Sequence, residues 1–160
     1  MAKKEKYKLK KINIINRKAK HEYEVLSLYE AGIMLTGTEI KSVRAGNVNL
    51  KEAFCHLENG ELFVKAMHIA AYYFGTYNNH ETKRTRKLLL RKQELKKLHR
   101  RVMEKGLTIV PMRLYLSDRG YAKLEIALAR GKKAYDKRAT IKERENKRDL
   151  DRIKKIYRME

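Results

Sequence analysis

One cysteine, one proline and no long apolar run stand in a chain of 160 residues. Cys55 has no second thiol to meet, so a disulfide within the chain and a thiolate zinc site are both excluded. A lone thiol suits a reducing compartment, and its strand-like setting, Ala53-Phe54-Cys55-His56-Leu57, points to a buried, inert side chain. Apolar runs as short as Leu88–Leu90 cannot span a bilayer. The start, MAKKEKYKLKKINII, lacks the apolar core of a secretory leader. A soluble, cytoplasmic monomer that engages no membrane is the expectation. Acidic residues are scarce as well: 19 Asp and Glu face 40 Lys and Arg, a net charge of +21.

Such an excess repels itself in the compact state and attracts polyanions. Nucleic acid is the favoured partner, because each phosphate contact releases counterions; an anionic membrane surface is the competitor. Hydrophobic residues at 42% support a compact core, and 37% charged residues keep it modest. That balance suits a barrel or sandwich better than a large α/β enzyme.

Three regions follow from the texture of the chain: a basic arm over residues 1–15, a folded domain over 16–130 and a basic tail over 131–160. The first twenty residues carry nine Lys and Arg against one Glu. Tyr23–Tyr29 reads as a strand, Glu30-Ala31-Gly32 as a bend or bulge, and Ile33–Leu35 as its continuation. Thr36 and Glu39 fit a capping box for a short helix whose Ile40 and Val43 face the core, with Gly46 as its stop. Asn59-Gly60 between Ala53–Glu58 and Glu61–Met67 is a strong hairpin signal. Tyr72–His80 reads as a long loop, with Phe74 assigned to the core. A second helix spans about Gln93–Lys105, with Leu95, Leu98 and Val102 as its stripe. Alternation over Val110–Leu116 and Ala122–Leu128, joined by Ser117–Gly120, gives two further strands, and Pro111 marks an edge or bulge. About six antiparallel strands with two or three short helices predict a closed β-barrel of the oligonucleotide-binding kind.

Beyond Gly131 the alternation stops. Twelve of the last thirty residues are Lys or Arg and six are acidic. Leu150, Ile153 and Tyr157 form only a thin helical stripe, so the tail is expected to be disordered alone and helical when bound.

Catalytic signatures are missing: no G-x-S-x-G, P-loop, G-x-G-x-x-G or H-E-x-x-H. The five histidines are scattered, no cofactor or metal is expected, and nothing in the sequence pairs carboxylates for a nuclease. The informative features are basic. Residues 80–101 hold ten Lys and Arg against two Glu. Here Arg84, Arg86 and Lys87 are expected to reach outward while Leu88–Leu90 anchor the segment, and Arg suits phosphate recognition. Tyr72, Tyr73, Phe74 and Tyr77 can stack on unpaired bases. Lys41 and Arg44 form a second patch on the first helix. An RNA-binding protein without catalysis is the leading reading. A structural ribosomal protein or RNA chaperone, and a hydrolase acting on RNA, stand beside it.

At these residues the chain resembles the small protein B family, the bacterial SsrA-binding proteins that bind tmRNA. The matching stretches are Asn16–Tyr23 (NRKAKHEY), Tyr29–Ile33 (YEAGI), Leu35–Gly46 (LTGTEIKSVRAG), Thr85–Leu90 (TRKLLL), Ala129–Arg138 (ARGKKAYDKR) and Ile141–Glu145 (IKERE). The resemblance covers about residues 12–158. It implies a barrel that binds the tRNA-like domain of tmRNA (SsrA RNA). It also implies delivery of that RNA to stalled 70S ribosomes, and a tail acting against small-subunit rRNA in the decoding centre and the empty mRNA channel. Elongation factor Tu and alanyl-tRNA synthetase are implied partners through tmRNA. By position it assigns Glu30, Glu39, Lys41, Arg44, Arg86, Lys87 and Leu89 to tmRNA, and the same basic stretches add Lys18, Lys20, His21, His80 and Arg84. Gly131, Lys132, Lys133, Tyr135, Asp136, Lys137 and Arg138 fall to the decoding centre.

Overall fold

Alternating side chains on short strands, punctuated by turn residues, close here into a barrel, seen in a computed structural model that describes residues 12–104 and 106–157. The elements in order are β1 (Asn13–Ile15), α1 (Arg17–Glu22), β2 (Tyr23–Ile33), α2 (Gly37–Arg44), β3 (Val48–Asn49), β4 (Phe54–Glu58), β5 (Glu61–Lys65) and β6 (His68–Ile69). A 3-10 segment (Tyr73–Asn78) follows, then β7 (Arg86–Leu89), α3 (Lys92–Val102), β8 (Leu107–Leu116), β9 (Ala122–Gly131) and α4 (Ala134–Tyr157). Strands β8-β4-β5-β7-β2-β9 form an antiparallel ring that closes where β9 meets β8. Closure removes the exposed sheet edges that invite aggregation. This is the six-stranded barrel the alternation predicts, with β3 and β6 as a separate small pair.

Period-two alternation fills the interior. Leu62 and Val64 of β5, Leu88 of β7, Ile109 and Leu114 of β8, and Leu124, Ile126 and Leu128 of β9 are buried in one cluster, which Val43 of α2 and Leu98 of α3 join. Cys55 belongs to it too, and burial pushes its thiol well above the ordinary value. The opposite phase of β8 and β9 is also buried at one place. Val110, Met112, Ala127 and Ala129 form a second cluster with Ala19, on which α1 lies. Alanines on that outer face let the short helix come close.

Several local signals act as expected. Asn59 and Gly60 both adopt positive φ (50° and 75°) in the two-residue β4–β5 turn, the geometry that a primed hairpin turn requires. The β8–β9 register shifts between Pro111 and Arg113, placing a bulge beside the proline.

Other details differ. The bend expected at Glu30–Gly32 is absent: β2 runs unbroken to Ile33, and its irregularity falls between Val25 and Ser27. Gly32 instead answers a close approach, since a Cβ there would meet the Leu89 Cβ at 3.4 Å. The stretch read as a loop contains the 3-10 segment, and Phe74, assigned to the core, is exposed. The boundary at residue 15 also moves. Asn13–Ile15 pair with Tyr115, Leu114 and Arg113 of β8 as a short strand added outside the ring, so the fold reaches into the expected arm. Residues 1–11 of the basic arm lie outside the described residues.

The short α1 is held by Asn16, 3% exposed. Its Oδ1 accepts from the Ala19 amide (3.0 Å), while its Nδ2 donates to the carbonyls of Leu50 (2.8 Å) and Pro111 (3.0 Å). One side chain thus caps the helix and ties it to two distant segments. Asn16→Ala strands these buried groups and is expected to lower stability by roughly 2–4 kcal/mol, read as a reduced urea midpoint with an unchanged m-value.

Candidate nucleic-acid interface

Three segments meet on one carboxylate. Glu39, in the first turn of α2, bonds back to the Thr36 amide (2.7 Å) as a capping residue should. The same carboxylate accepts from Arg84 at Nε (2.8 Å) and Nη2 (2.6 Å), and from Arg86 Nε (2.8 Å). Arg86 is itself fully buried and donates to the carbonyls of Met67 (2.7 Å), Arg84 (2.9 Å) and Thr82 (3.2 Å). Burial opposes the charge on Glu39, but the Arg84 and Thr36 bonds and the Arg86 charge outweigh it and hold the carboxyl at about 2. Glu39 and Arg86 therefore act as internal struts and offer no exposed surface in this structure. Arg86 stands in phase with buried Leu88 on β7, which turns inward the guanidinium that was expected to reach outward. The Leu88–Leu90 anchor is corrected likewise: Leu88 is buried, but Leu89 is 50% exposed.

That exposed leucine leads to a site. Leu89, Ile40 and Arg44 line a groove of about 670 Å³ together with Arg119, Tyr121 and Lys123. Tyr121 is 68% exposed. An apolar floor with three cations on its walls suits RNA, whose sugars and bases pack while its phosphates seek positive charge. Arg119, Tyr121 and Lys123 escaped the sequence reading. The sequence reads Ser117–Gly120 as a turn and Ala122–Leu128 as a strand, and assigns neither to a site. The available signal was a cation and a ring inside the turn of a long hairpin.

Glu30, by contrast, organises the sheet beside the groove. It accepts a hydrogen bond from the Tyr115 hydroxyl and pairs with Lys123 at 3.2 Å. These two partners hold its carboxyl below the ordinary value. Burial and the Glu30 charge push Tyr115 up to about 12. Lys123 is thereby aimed from β9.

The remaining candidates separate. Lys41 is exposed and stands over the Tyr72 ring at 5.0 Å. His80 bridges Thr38 Oγ1 (2.9 Å) and the Ile69 carbonyl (3.1 Å); a carbonyl only accepts, so Nε2 donates. Lys87 pairs with Glu61. Lys18, Lys20 and His21 ride on α1, where Lys18 pairs with Glu52 at 3.2 Å. They sit near Tyr23, at the start of β2, whereas the groove lies at Gly32 and Ile33, near its end. Nine residues at about 3.3 Å each put roughly 30 Å between the two patches.

Tyr23 pairs with Gly131, and the Lys132 amide donates to the Glu22 carbonyl (2.8 Å), so the tail leaves the barrel beside α1. Residues 134–157 are helix, the form the sequence reading reserves for the bound state, and Ile141–Ile156 are exposed throughout. Lys133 precedes that helix, and Tyr135, Asp136, Lys137 and Arg138 lie in its first turns; the Tyr135 side chain lies outside the described residues. Among the described residues no three His, Cys, Asp or Glu gather as a metal ion would need, and no helix is long and apolar enough to cross a membrane.

Comparison with known proteins matches residues 13–156 to the family described as SmpB protein. The SsrA-binding protein of Flavobacterium psychrophilum is 58% identical over 149 residues, covering 93% of this chain and 99% of that relative. The SsrA-binding protein of Bacteroides thetaiotaomicron is 53% identical over 142 residues, covering 89% and 95%. A solved chain from "tmRNA-SmpB: a journey to the center of the bacterial ribosome" superposes with a TM-score of 0.65 at 52% identity, over 76% of this chain and 85% of that one.

Folding lowers the Glu39 carboxyl from 4.5 to about 2. Its contribution is complete above about pH 4.5 and is lost as pH falls towards 2, a window worth about 3 kcal/mol. Glu39→Gln leaves two guanidinium groups facing a neutral amide. It is expected to cost about 3–5 kcal/mol at neutral pH and to flatten the acid limb of the stability–pH curve. Denaturant melts between pH 2 and 7 check both.

Proposed function

The chain belongs to the SmpB family, and from that premise we propose that it is a tmRNA-binding adaptor of trans-translation. In this reading the barrel takes the tRNA-like domain of tmRNA and the tail serves the stalled ribosome. The observation that carries it is the separation of two positive features along β2: the groove near Gly32 and the tail root near Tyr23. One end of a rigid barrel holds RNA while the other sends a cationic chain elsewhere. Its relatives bear the name SsrA-binding protein, and the solved neighbour concerns tmRNA, SmpB and the bacterial ribosome.

The groove supplies Arg44, Arg119 and Lys123 for phosphates and Leu89 and Tyr121 for apolar contact. Lys41 adds charge on the exposed side of α2. Lys18, Lys20 and His21 form a second cationic face that follows the RNA or meets rRNA near the tail root. Residues 131–160 form the part that acts in the decoding centre and mRNA channel. Helix α4 buries no apolar face between Ile141 and Ile156, so its stability in water is marginal and its thin stripe of Leu150 and Ile153 awaits a ribosomal surface. Elongation factor Tu and alanyl-tRNA synthetase enter only through the tmRNA they share.

In gel-shift competition at raised salt, the tRNA-like domain of tmRNA should displace labelled tmRNA far better than an ordinary tRNA. Equal competition would leave only a generic RNA binder. Arg44→Glu with Arg119→Glu should weaken this binding at least tenfold and reduce its salt dependence. Ending the chain after Gly131 should spare tmRNA binding but abolish peptide tagging on stalled ribosomes. Backbone amides of residues 134–157 should exchange rapidly in the free protein and become protected on the ribosome.

A further inference from the structure

Tyr73, Phe74 and Tyr77 are 90%, 75% and 91% exposed. None of them joins either hydrophobic cluster or lines the groove. Leaving three rings in water has no folding benefit, and the segment that displays them is nevertheless built with care. Asn79 staples its ends. The Tyr72 amide donates to Asn79 Oδ1 (2.9 Å), and Asn79 Nδ2 donates to the Tyr72 carbonyl (2.7 Å). A Cβ at Gly75 would stand 2.6 Å from Asn79 Nδ2, so no side chain fits there while the staple is closed. At the kink Thr76 takes φ 42° and ψ −131°, a left-handed backbone that is strained for a β-branched residue.

Within the stapled segment the rings of Tyr72, Tyr73 and Phe74 pack on one another. Phe74 stands edge-on to Tyr73, with centroids 5.0 Å apart at 90°, and to Tyr72 at 5.7 Å and 62°. Tyr72 in turn lies under the Lys41 ammonium at 5.0 Å. Residues 70–80 contain no acidic side chain. His80 binds this segment to Thr38 of α2, and the exposed Lys41 of the same helix stands over the Tyr72 ring.

We propose that the Tyr73–Tyr77 loop is a stacking platform for unpaired bases of RNA, separate from the groove. This deepens the RNA-binding reading and rests on it. Rigid rings with open faces lose little entropy when a base stacks, and every base offers a π-face. The neighbouring Lys41 draws the strand's phosphates while its bases turn towards the rings. An acid-free, cation-flanked set of rings is complementary to a polyanion with aromatic planes.

The test uses the full chain with rings removed: Tyr73→Ser, Phe74→Ser and Tyr77→Ser together, all at exposed positions. The probe is a short labelled single-stranded RNA of mixed sequence, free or annealed to its complement, followed by fluorescence anisotropy across a salt series. The variant should lose about fivefold or more in single-strand affinity for each base that stacks. Its salt slope should stay as in the parent, because no cation has been removed. Lys41→Ala, the reference, should lower the slope. A variant carrying Tyr73→Phe and Tyr77→Phe, which keeps the rings, should bind as the parent does. Undiminished single-strand affinity after removal of the rings would overturn the platform, and so would a loss that appears equally on the duplex. A parent protein that binds neither tmRNA nor the single strand would instead overturn the RNA-binding reading itself. Normal tmRNA binding by a parent whose ring variant loses nothing would overturn only the platform.

Discussion

A carboxylate with no exposed surface holds together α2, β7 and the chain that leads into β7. Glu39 caps its helix, pairs with Arg84 and Arg86, and gives Arg86 a reason to be inside. Burying charge is costly, and it is tolerated only where geometry and additional hydrogen bonds complete the set. Here the carbonyls of Met67, Thr82 and Arg84 supply the rest. In a chain with a net charge of +21, one acid that neutralises two guanidinium groups also relieves repulsion where the segment crosses the barrel. Groove and aromatic loop both depend on it. Arg44 is carried on the helix that Glu39 caps, Leu89 on the strand that bears Arg86, and the loop is bonded to Thr38 in the same helical turn.

The barrel turns a sequence-wide excess of charge into separate surfaces. Lys123 is aimed by Glu30, and Glu30 is held by Tyr115 on the next-but-one strand. Few acids are present, and several of them orient cations. Lys18 meets Glu52, Lys87 meets Glu61 and Arg113 meets Glu125 at 2.9 Å. Exposed pairs of this kind add little stability, so their consequence is placement. Among the described residues Arg44, Arg119 and Lys41 enter no ion pair, whereas Arg152 of the tail meets Asp149 at 3.6 Å. In the proposed function the two ends of β2 serve different tasks at a fixed spacing, which a closed barrel preserves and a flexible linker would not.

Alternation along Val110–Leu116 and Ala122–Leu128, the Asn59-Gly60 turn and the Glu39 capping box are local chemistry, and each was legible residue by residue. The long motifs shared with the SmpB family were legible as well. The misjudged residues were those whose environment comes from far along the chain. Arg86 looked like one more member of a basic run, because the carboxylate that draws it inward lies 47 residues away. Phe74 looked like core because its ring is apolar, but the Asn79 staple turns its segment outward. Asn13–Ile15 looked like the end of a basic arm, since their partners on β8 come a hundred residues later.

The amino-acid sequence by itself determined the strand pattern, the overall cationic character and the family, because these depend on spacing, composition and order. Only the tertiary structure decided which cations remain free, which acid is buried and that Arg119 and Tyr121 stand beside Leu89. The reason is physical: a charge is available or spent according to what stands within a few ångströms of it. In a closed barrel those neighbours are set by strand register across the whole chain.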